Sequence, residues 1–226
     1  MIPWLSVVVP MRNEAAIIGR TLAALQPLRA AGGEVIVVDG ASTDSSRPTA
    51  DPLADQVLSS EPGRARQMNA GIEVARGDWV WLLHADSSVV PEHWEAIRQS
   101  RQNWGFFKLR LSGAGLLLRV IERSINLRTR LTHLATGDQG IFVRREWLNA
   151  MNGLPDLPLM EDLALTRALR RRGRPAIMSP PLVTSSRRWE ERGVVRTVLL
   201  MWGLRAAWRL GVSPARLARI YQRPQR

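Results

Sequence analysis

The chain contains no cysteine, so thiolate metal sites, cysteine nucleophiles and disulfides are excluded and the candidate chemistry falls to carboxylates. Glu14, Asp39 and Asp86 each stand where an apolar run gives out, in VVVPMRNE (7–14), VVDGASTD (37–44) and LLHADS (82–87). Further on, MED (160–162) sets Glu161 and Asp162 side by side at the start of a helical pattern. A carboxylate can accept two N–H bonds from the edge of a nucleotide base. As a hard oxygen donor it also suits Mg2+ or Mn2+. Plainer roles exist for each. Asp39 can turn the chain before a helix capped by Ser42 or Thr43, and Asn13 can cap the first helix. Glu161 and Asp162 can steady a helix N-terminus through its dipole. Chance accounts for one strand ending in such a side chain; three argue for a shared crevice.

The elements that would position these residues follow from the apolar pattern. Runs at 4–9, 34–38, 56–58 and 79–83 alternate with helical candidates at about 14–26, 43–50 and 64–75. Continuous β-branched runs predict strands buried on both faces, as in a parallel sheet. The alternation predicts an α/β layered fold. Right-handed crossovers then bring the carboxyl ends of the strands to one edge, where open α/β sheets bind ligands. GRARQMNAG (63–71) puts Arg64 and Arg66 on the first turn of a helix facing that edge, a fitting partner for a diphosphate. Asn69 and Gly71 are expected to pack this helix on the sheet. A helix over 91–102 opens on proline, a strand follows at 105–111 and an amphipathic helix at 115–135. GDQGIFVRR (137–145) reads as a loop entering a strand, and residues 160–173 as a helix stopped by Gly173 and Pro175.

The 226 residues, 45% hydrophobic, suffice for one domain with a C-terminal appendage. The N-terminus lacks a basic stretch before its apolar run and reads as a buried strand rather than a signal peptide. No stretch reaches the roughly 20 apolar residues of a membrane span. The absence of cysteine fits a reducing cytoplasm. The net charge of +12 is uneven: residues 167–226 carry 15 arginines against Glu190 and Glu191 alone. Such a tail suggests an anionic partner, whether nucleic acid, acidic lipid or phosphate. Compositional preference accounts for arginine over lysine, since Lys108 is the sole lysine, but not for the clustering. VVRTVLLMWGLRAAWRLG (194–211) interleaves tryptophan and arginine on a helix, which suits an anionic membrane surface. The same helix could pack on the domain or form a homodimer. Specific nucleic-acid binding is not expected, because acids at three strand ends would repel phosphate.

The four acidic strings occur in the order and spacing of glycosyltransferase family 2, which the chain resembles over roughly residues 4–190. GRARQMNAG, LHADS and GDQGIFVRR together resemble more narrowly the bacterial branch labelled radical-SAM/selenodomain-associated transferase 2. The resemblance implies a GT-A fold, a Rossmann-like and mostly parallel sheet flanked by helices, over 1–189. Its nucleotide-binding half would cover about 1–90 and its acceptor half about 91–189, with a basic helical tail at 190–226. It implies metal-dependent, inverting transfer of a sugar from a nucleotide-sugar donor to a hydroxyl acceptor, for which a lipid-linked molecule would match the tail.

Under this resemblance Asp39, Pro10, Asn13 and Glu14, with Arg64 or Arg66, would line the donor pocket. Asp86 would hold Mg2+ or Mn2+ against the diphosphate, and Asp162 would deprotonate the acceptor. Asp138, Gln139 and Glu161 would meet sugar or acceptor hydroxyls. Arg187 or Arg188, in SSRRW (185–189), would grip a diphosphate. Two departures stand out. His84 replaces the first aspartate of the family's Asp-X-Asp, where it would touch ribose, end the strand, or ligate and favour Mn2+. Ser185 replaces the glutamine of processive relatives, so polymer synthesis is not expected. The rival readings are a nucleotidyltransferase, against which PMRNEA (10–15) lacks a glycine-rich signature, and a non-catalytic nucleotide or nucleic-acid binder. The expected location is the cytoplasm, peripheral on the inner face of the membrane.

Overall fold

The structure, a computed structural model, describes residues 2–222. The β-branched runs form β1 (Leu5–Met11), β2 (Glu34–Asp39), β3 (Gln56–Ser59) and β4 (Trp79–Leu82). These pair in parallel, with β1 between β2 and β4 and β3 outside β2. Between them lie α1 (Ile18–Ala24), α2 (Gln26–Ala30), α3 (Ser46–Ala50) and α4 (Arg64–Val74). The helix expected over 14–26 is shorter and breaks at Leu25, where α2 opens with Pro27 in its first turn.

The chain continues through α5 (Pro91–Arg98), β5 (Trp104–Leu111), α6 (Leu116–Thr132), β6 (Ile141–Arg144), α7 (Arg145–Asn149), α8 (Glu161–Arg172) and β7 (Ala176–Thr184). The tail forms α9 (Arg187–Arg192), α10 (Val194–Arg209) and α11 (Pro214–Gln222). β6 runs antiparallel to β4 and β5, and β7 lies parallel to β5. The seven-stranded order is β3-β2-β1-β4-β6-β5-β7. The expectation of a mostly parallel, doubly covered α/β sheet holds. β7 was not legible, because Pro180 and Pro181 interrupt its run; as the sheet's outer strand it tolerates them.

Alternate residues of the central strands feed opposite faces. Val7, Val9, Val35 and Val37 pack with Ile18, Leu22 and Trp94. Val8, Ile36 and Val38 pack with Met68, Ile72, Leu165 and Leu169. One buried acid, Glu34, closes the amino-terminal edge. It accepts from the Ser6 hydroxyl at 2.6 Å and from Arg76 Nη2 at 2.7 Å. The tail is docked on the domain: Leu204 and Leu217 are buried against Met160 and Leu163.

α4 lies unusually close to the sheet. A Cβ at Gly71 would meet Val8 Cγ1 at 2.3 Å, and Val8 is fully buried in a central strand. Gly71→Ala should therefore destabilise by about 1–3 kcal/mol through overpacking. The check is the urea midpoint at unchanged m-value.

Candidate functional site

The carboxyl ends of β1 and β4, with β5, β7, α6, α8 and α10, enclose a crevice of about 680 Å3. Pro10, Glu14, Arg64, His84, Asp86, Asp138, Glu161, Asp162 and Arg187 all line it. Thus the strand-end acids Glu14 and Asp86 do share one cavity with the acids that open α8.

The first wall is built by locking loops together. Asn13 has a left-handed backbone (φ 55°). Its N–H donates to Ser42 Oγ at 3.0 Å and its Oδ1 accepts from the Thr43 N–H at 2.8 Å. It therefore clasps the loop after β2 and does not cap α1, whose N-cap is Ile17. Asp39 Oδ1 accepts from the Ser42 N–H at 3.0 Å and from its hydroxyl at 2.5 Å. Asp39 and Asn13 stand behind the crevice wall and do not line the cavity itself. Gln67, buried on α4, bridges the strand ends: its Nε2 donates to Met11 O at 2.8 Å and Val38 O at 2.9 Å. Gly40 leaves room for that amide, since a Cβ there would lie 2.7 Å from it.

Asp86 marks the second wall. Its Oδ1 accepts from the Thr184 hydroxyl at 3.4 Å, and its loop is pinned by Thr21 Oγ1 donating to Ala85 O at 2.6 Å. His84 is turned elsewhere. Its Nδ1 contacts Asp138 Oδ1 at 3.0 Å, and its Nε2 is buried without a hydrogen-bond partner. A Cβ at Gly137 would sit 2.4 Å from that Nε2, so the imidazole fills the space glycine leaves. Among the described residues no three His, Asp or Glu side chains converge as a metal cage. The donor set instead fits an ion of the Mg2+ type, which takes one or two carboxylates and completes its shell with water and substrate phosphates. Asp86 would be that carboxylate.

The third wall is the head of α8. Met160 adopts a left-handed backbone (φ 68°) and aims the next two acids inward. Asp162 Oδ1 accepts from the Leu163 N–H at 2.6 Å and Oδ2 from the Gly137 N–H at 2.8 Å. Each oxygen keeps a further lone pair. Glu161 is 3% exposed and meets Arg64 Nη1 at 3.4 Å. Burial, then the neighbouring Asp162, pushes its carboxyl above the ordinary value, against the pull of Arg64. Burial disfavours the charge on Arg64, yet Glu161, Asp138 and Asp162 more than offset it and its pKa is raised.

Some candidates lie apart. Arg66 points away and pairs with Asp156 at 3.3 Å on the surface. Gln139 is fully buried, donating to Phe107 O at 3.1 Å and accepting from Thr129 Oγ1 and the Thr136 N–H, each at 3.2 Å. It shapes the loop and does not face the cavity. The Arg188 side chain lies outside the described residues. Asn69 holds the approach to α8, exchanging bonds with the backbone of Leu154 at 2.9 and 2.7 Å. Gln67, Thr184 and Arg205 were not singled out from the sequence. Gln67 could have been: it shares the sheet-facing stripe of α4 with Met68 and Gly71, where an amide must find buried partners.

Residues 6–102 match the family model described as glycosyl transferase family 2. An uncharacterized protein, MT1568, from Mycobacterium tuberculosis is 34% identical over 94 residues, covering 39% of this chain and 30% of its own. A PGL/p-HBAD biosynthesis glycosyltransferase from Mycobacterium bovis is 29% identical over 94 residues, covering 38% of this chain and 37% of its own. The chain thus spans about a third of the length of the curated relatives it matches. Among solved structures, S. aureus TarS 1-349 in complex with UDP-GlcNAc superposes with TM-score 0.64 at 21% identity, over 80% of this chain and 58% of that one. The mannosyltransferase PcManGT from Pyrobaculum calidifontis, in complex with GDP-Man and Mn2+, gives 0.60 at 22%, over 82% and 57%. The fold is of the GT-A type.

The raised pKa of Glu161 has a signed consequence. Its contribution to stability is complete below the ordinary carboxyl value of 4.5 and is lost as pH rises through the higher folded value. Glu161→Gln should flatten that part of the stability–pH curve. Urea midpoints of the two proteins between pH 4.5 and pH 7 test this, and parallel curves would contradict it.

Proposed function

We propose that this protein is a metal-dependent glycosyltransferase that moves a sugar from a nucleotide-sugar donor to a hydroxyl acceptor with inversion. The observation that carries the reading is the placing of Asp86 and Asp162 on one crevice at the strand ends, with Arg64 beside them. The family match over 6–102 and the sugar-nucleotide complexes of the structural neighbours support it. The nucleotide would enter along Pro10 and Glu14, next to the loops clasped by Asn13 and Asp39. Arg64, a guanidinium fixed at the head of α4 beside Glu161, suits the diphosphate.

In the transfer, the acceptor oxygen attacks the anomeric carbon and gives its proton to Asp162. The carbon–oxygen bond to the phosphate breaks, and its electron pair leaves with the nucleoside diphosphate. Backbone N–H bonds fix the Asp162 carboxylate, so the base needs no reorganisation when the hydroxyl arrives. A divalent ion held by Asp86 would neutralise charge growing on the leaving diphosphate. His84 and Asp138, bonded to each other, shape the floor between these roles.

Calorimetric titration with a panel of nucleoside diphosphates and nucleotide-sugars, with and without Mn2+, tests the donor site. Binding of one nucleotide class should require metal and vanish in Asp86→Ala; no binding of any nucleotide by the folded protein sinks the proposal. Once an acceptor is in hand, Asp162→Asn should lower kcat by roughly 10²–10⁴-fold, the usual worth of a general base, while donor affinity persists. Free nucleoside diphosphate as product, rather than pyrophosphate, separates sugar transfer from nucleotidyl transfer.

A further inference from the structure

The same crevice has a second, apolar half. Leu117, Val120 and Ile121 of α6 and Val195, Val198 and Trp202 of α10 line it. Several of these are open to solvent: Val120 is 52%, Val195 62% and Trp202 60% exposed. Leu127, Leu131 and Leu199 extend the apolar surface outward. An exposed patch continuous with a polar cavity marks a binding surface.

The charges carried on the outer surface of the helices that flank this half are of one sign. α10 and α11 contain no acid, and α6 contains only Glu122. Glu122 is turned inward, accepting from the Leu111 N–H and from Arg119. Exposed Arg123, Arg130, Arg209, Arg216 and Arg219 occupy the same three helices.

Where the groove meets Asp162, two arginines each keep one donor unused, although Arg128 also donates from Nη1 to Leu134 O at 3.0 Å and from Nη2 to Thr129 Oγ1 at 3.3 Å. Arg205 of α10 lines the cavity, and Arg128 of α6 stands near it; both Nε atoms are buried without a hydrogen-bond partner. Burial, then the mutual repulsion of these cations, drags Arg128 down to about 10. Burial likewise lowers Arg205, against the pull of Asp162 and Asp138. Buried like charges with idle N–H groups destabilise a fold unless an anion completes them.

We propose that the acceptor is an anionic amphiphile: a phosphate-bearing lipid whose hydrocarbon chain lies between α6 and α10 and whose acidic head rests on Arg205, backed by Arg128. The inference rests on the glycosyltransferase reading and gives its acceptor a chemical class. The hydroxyl that accepts the sugar then sits beside Asp162, and the arginine rim draws the protein to the anionic surface from which the lipid is taken.

The test is calorimetric titration of the full chain with decyl phosphate below its micelle concentration, with inorganic phosphate and with decanol. Decyl phosphate should bind at least about tenfold more tightly than either fragment, since both chain burial and charge-assisted bonds contribute. Arg205→Gln should bring its affinity to that of decanol, with the urea midpoint of the same sample as the check that the fold persists. Val120→Asp and Val195→Asp, at exposed positions, should bring it to that of inorganic phosphate. Nucleotide binding on the same samples is the control: its loss across all proteins would count against the donor site, not the lipid groove. Equal affinity for inorganic and decyl phosphate, or no binding of decyl phosphate, overturns the proposal. So does a dimer in sedimentation that Val195→Asp dissociates, which would make a second copy the occupant of the groove.

Discussion

Two adjacent acids, one of them sealed from water, need fixed partners to stay in place, and the head of α8 holds such a pair. Glu161 is nearly sealed from water and Asp162 is its covalent neighbour. The rest of the crevice can be understood as the means of keeping them there. α4 supplies Arg64 to one, and the Gly137 and Leu163 amides bind the other. α10 brings Arg205 to the same place, so the tail completes the electrostatics of the domain it docks on. α4 can reach only because Gly71 lets it lie against Val8 and Gln67 joins it to the ends of β1 and β2.

This arrangement separates two kinds of residue that look alike in a sequence. Asp86 and Asp162 line the cavity with lone pairs to spare. Asp39 and Asn13 spend theirs on the loop at 42–43, and so fix the wall instead of forming it. His84 belongs with the second kind: with Nδ1 on Asp138 and Nε2 against Gly137, it braces the loop that carries the Asp162 hydrogen bond. His84 therefore adds no ligand beside Asp86, and any metal held there would rely on the substrate to complete its shell.

Much of this was legible beforehand, for physical reasons. β1, β2 and β4 are continuous apolar runs because both faces of the sheet are covered, and their polar ends mark the ligand edge. The helices α4, α5 and α8 announce themselves through period and terminators. β7 did not, since two prolines contradict strand chemistry everywhere except at an edge, and edge position is a tertiary fact. Gln139 and Arg66 were drawn toward the site by nearness in sequence. Gln139 is consumed by the bonds that fold its own loop, and Arg66 lies one side of α4 away from Arg64. Arg205 looked like one cation among many; only the docking of α10 distinguishes it from the solvated ones.

The prolines of β7 have a meaning beyond the strand itself. The pairing of β7 with β5 shifts register between Met178 and Leu182, so Pro180 and Pro181 sit where the ladder is already interrupted. Neither proline has an N–H to offer an incoming strand, and just beyond them Val183 O is taken by the Ser88 N–H at 2.8 Å. A bare sheet margin is a template on which copies of a chain can stack in register; at the β7 margin that template is interrupted. The protein can present a large apolar groove while the β7 margin of its sheet is protected from edge-to-edge stacking.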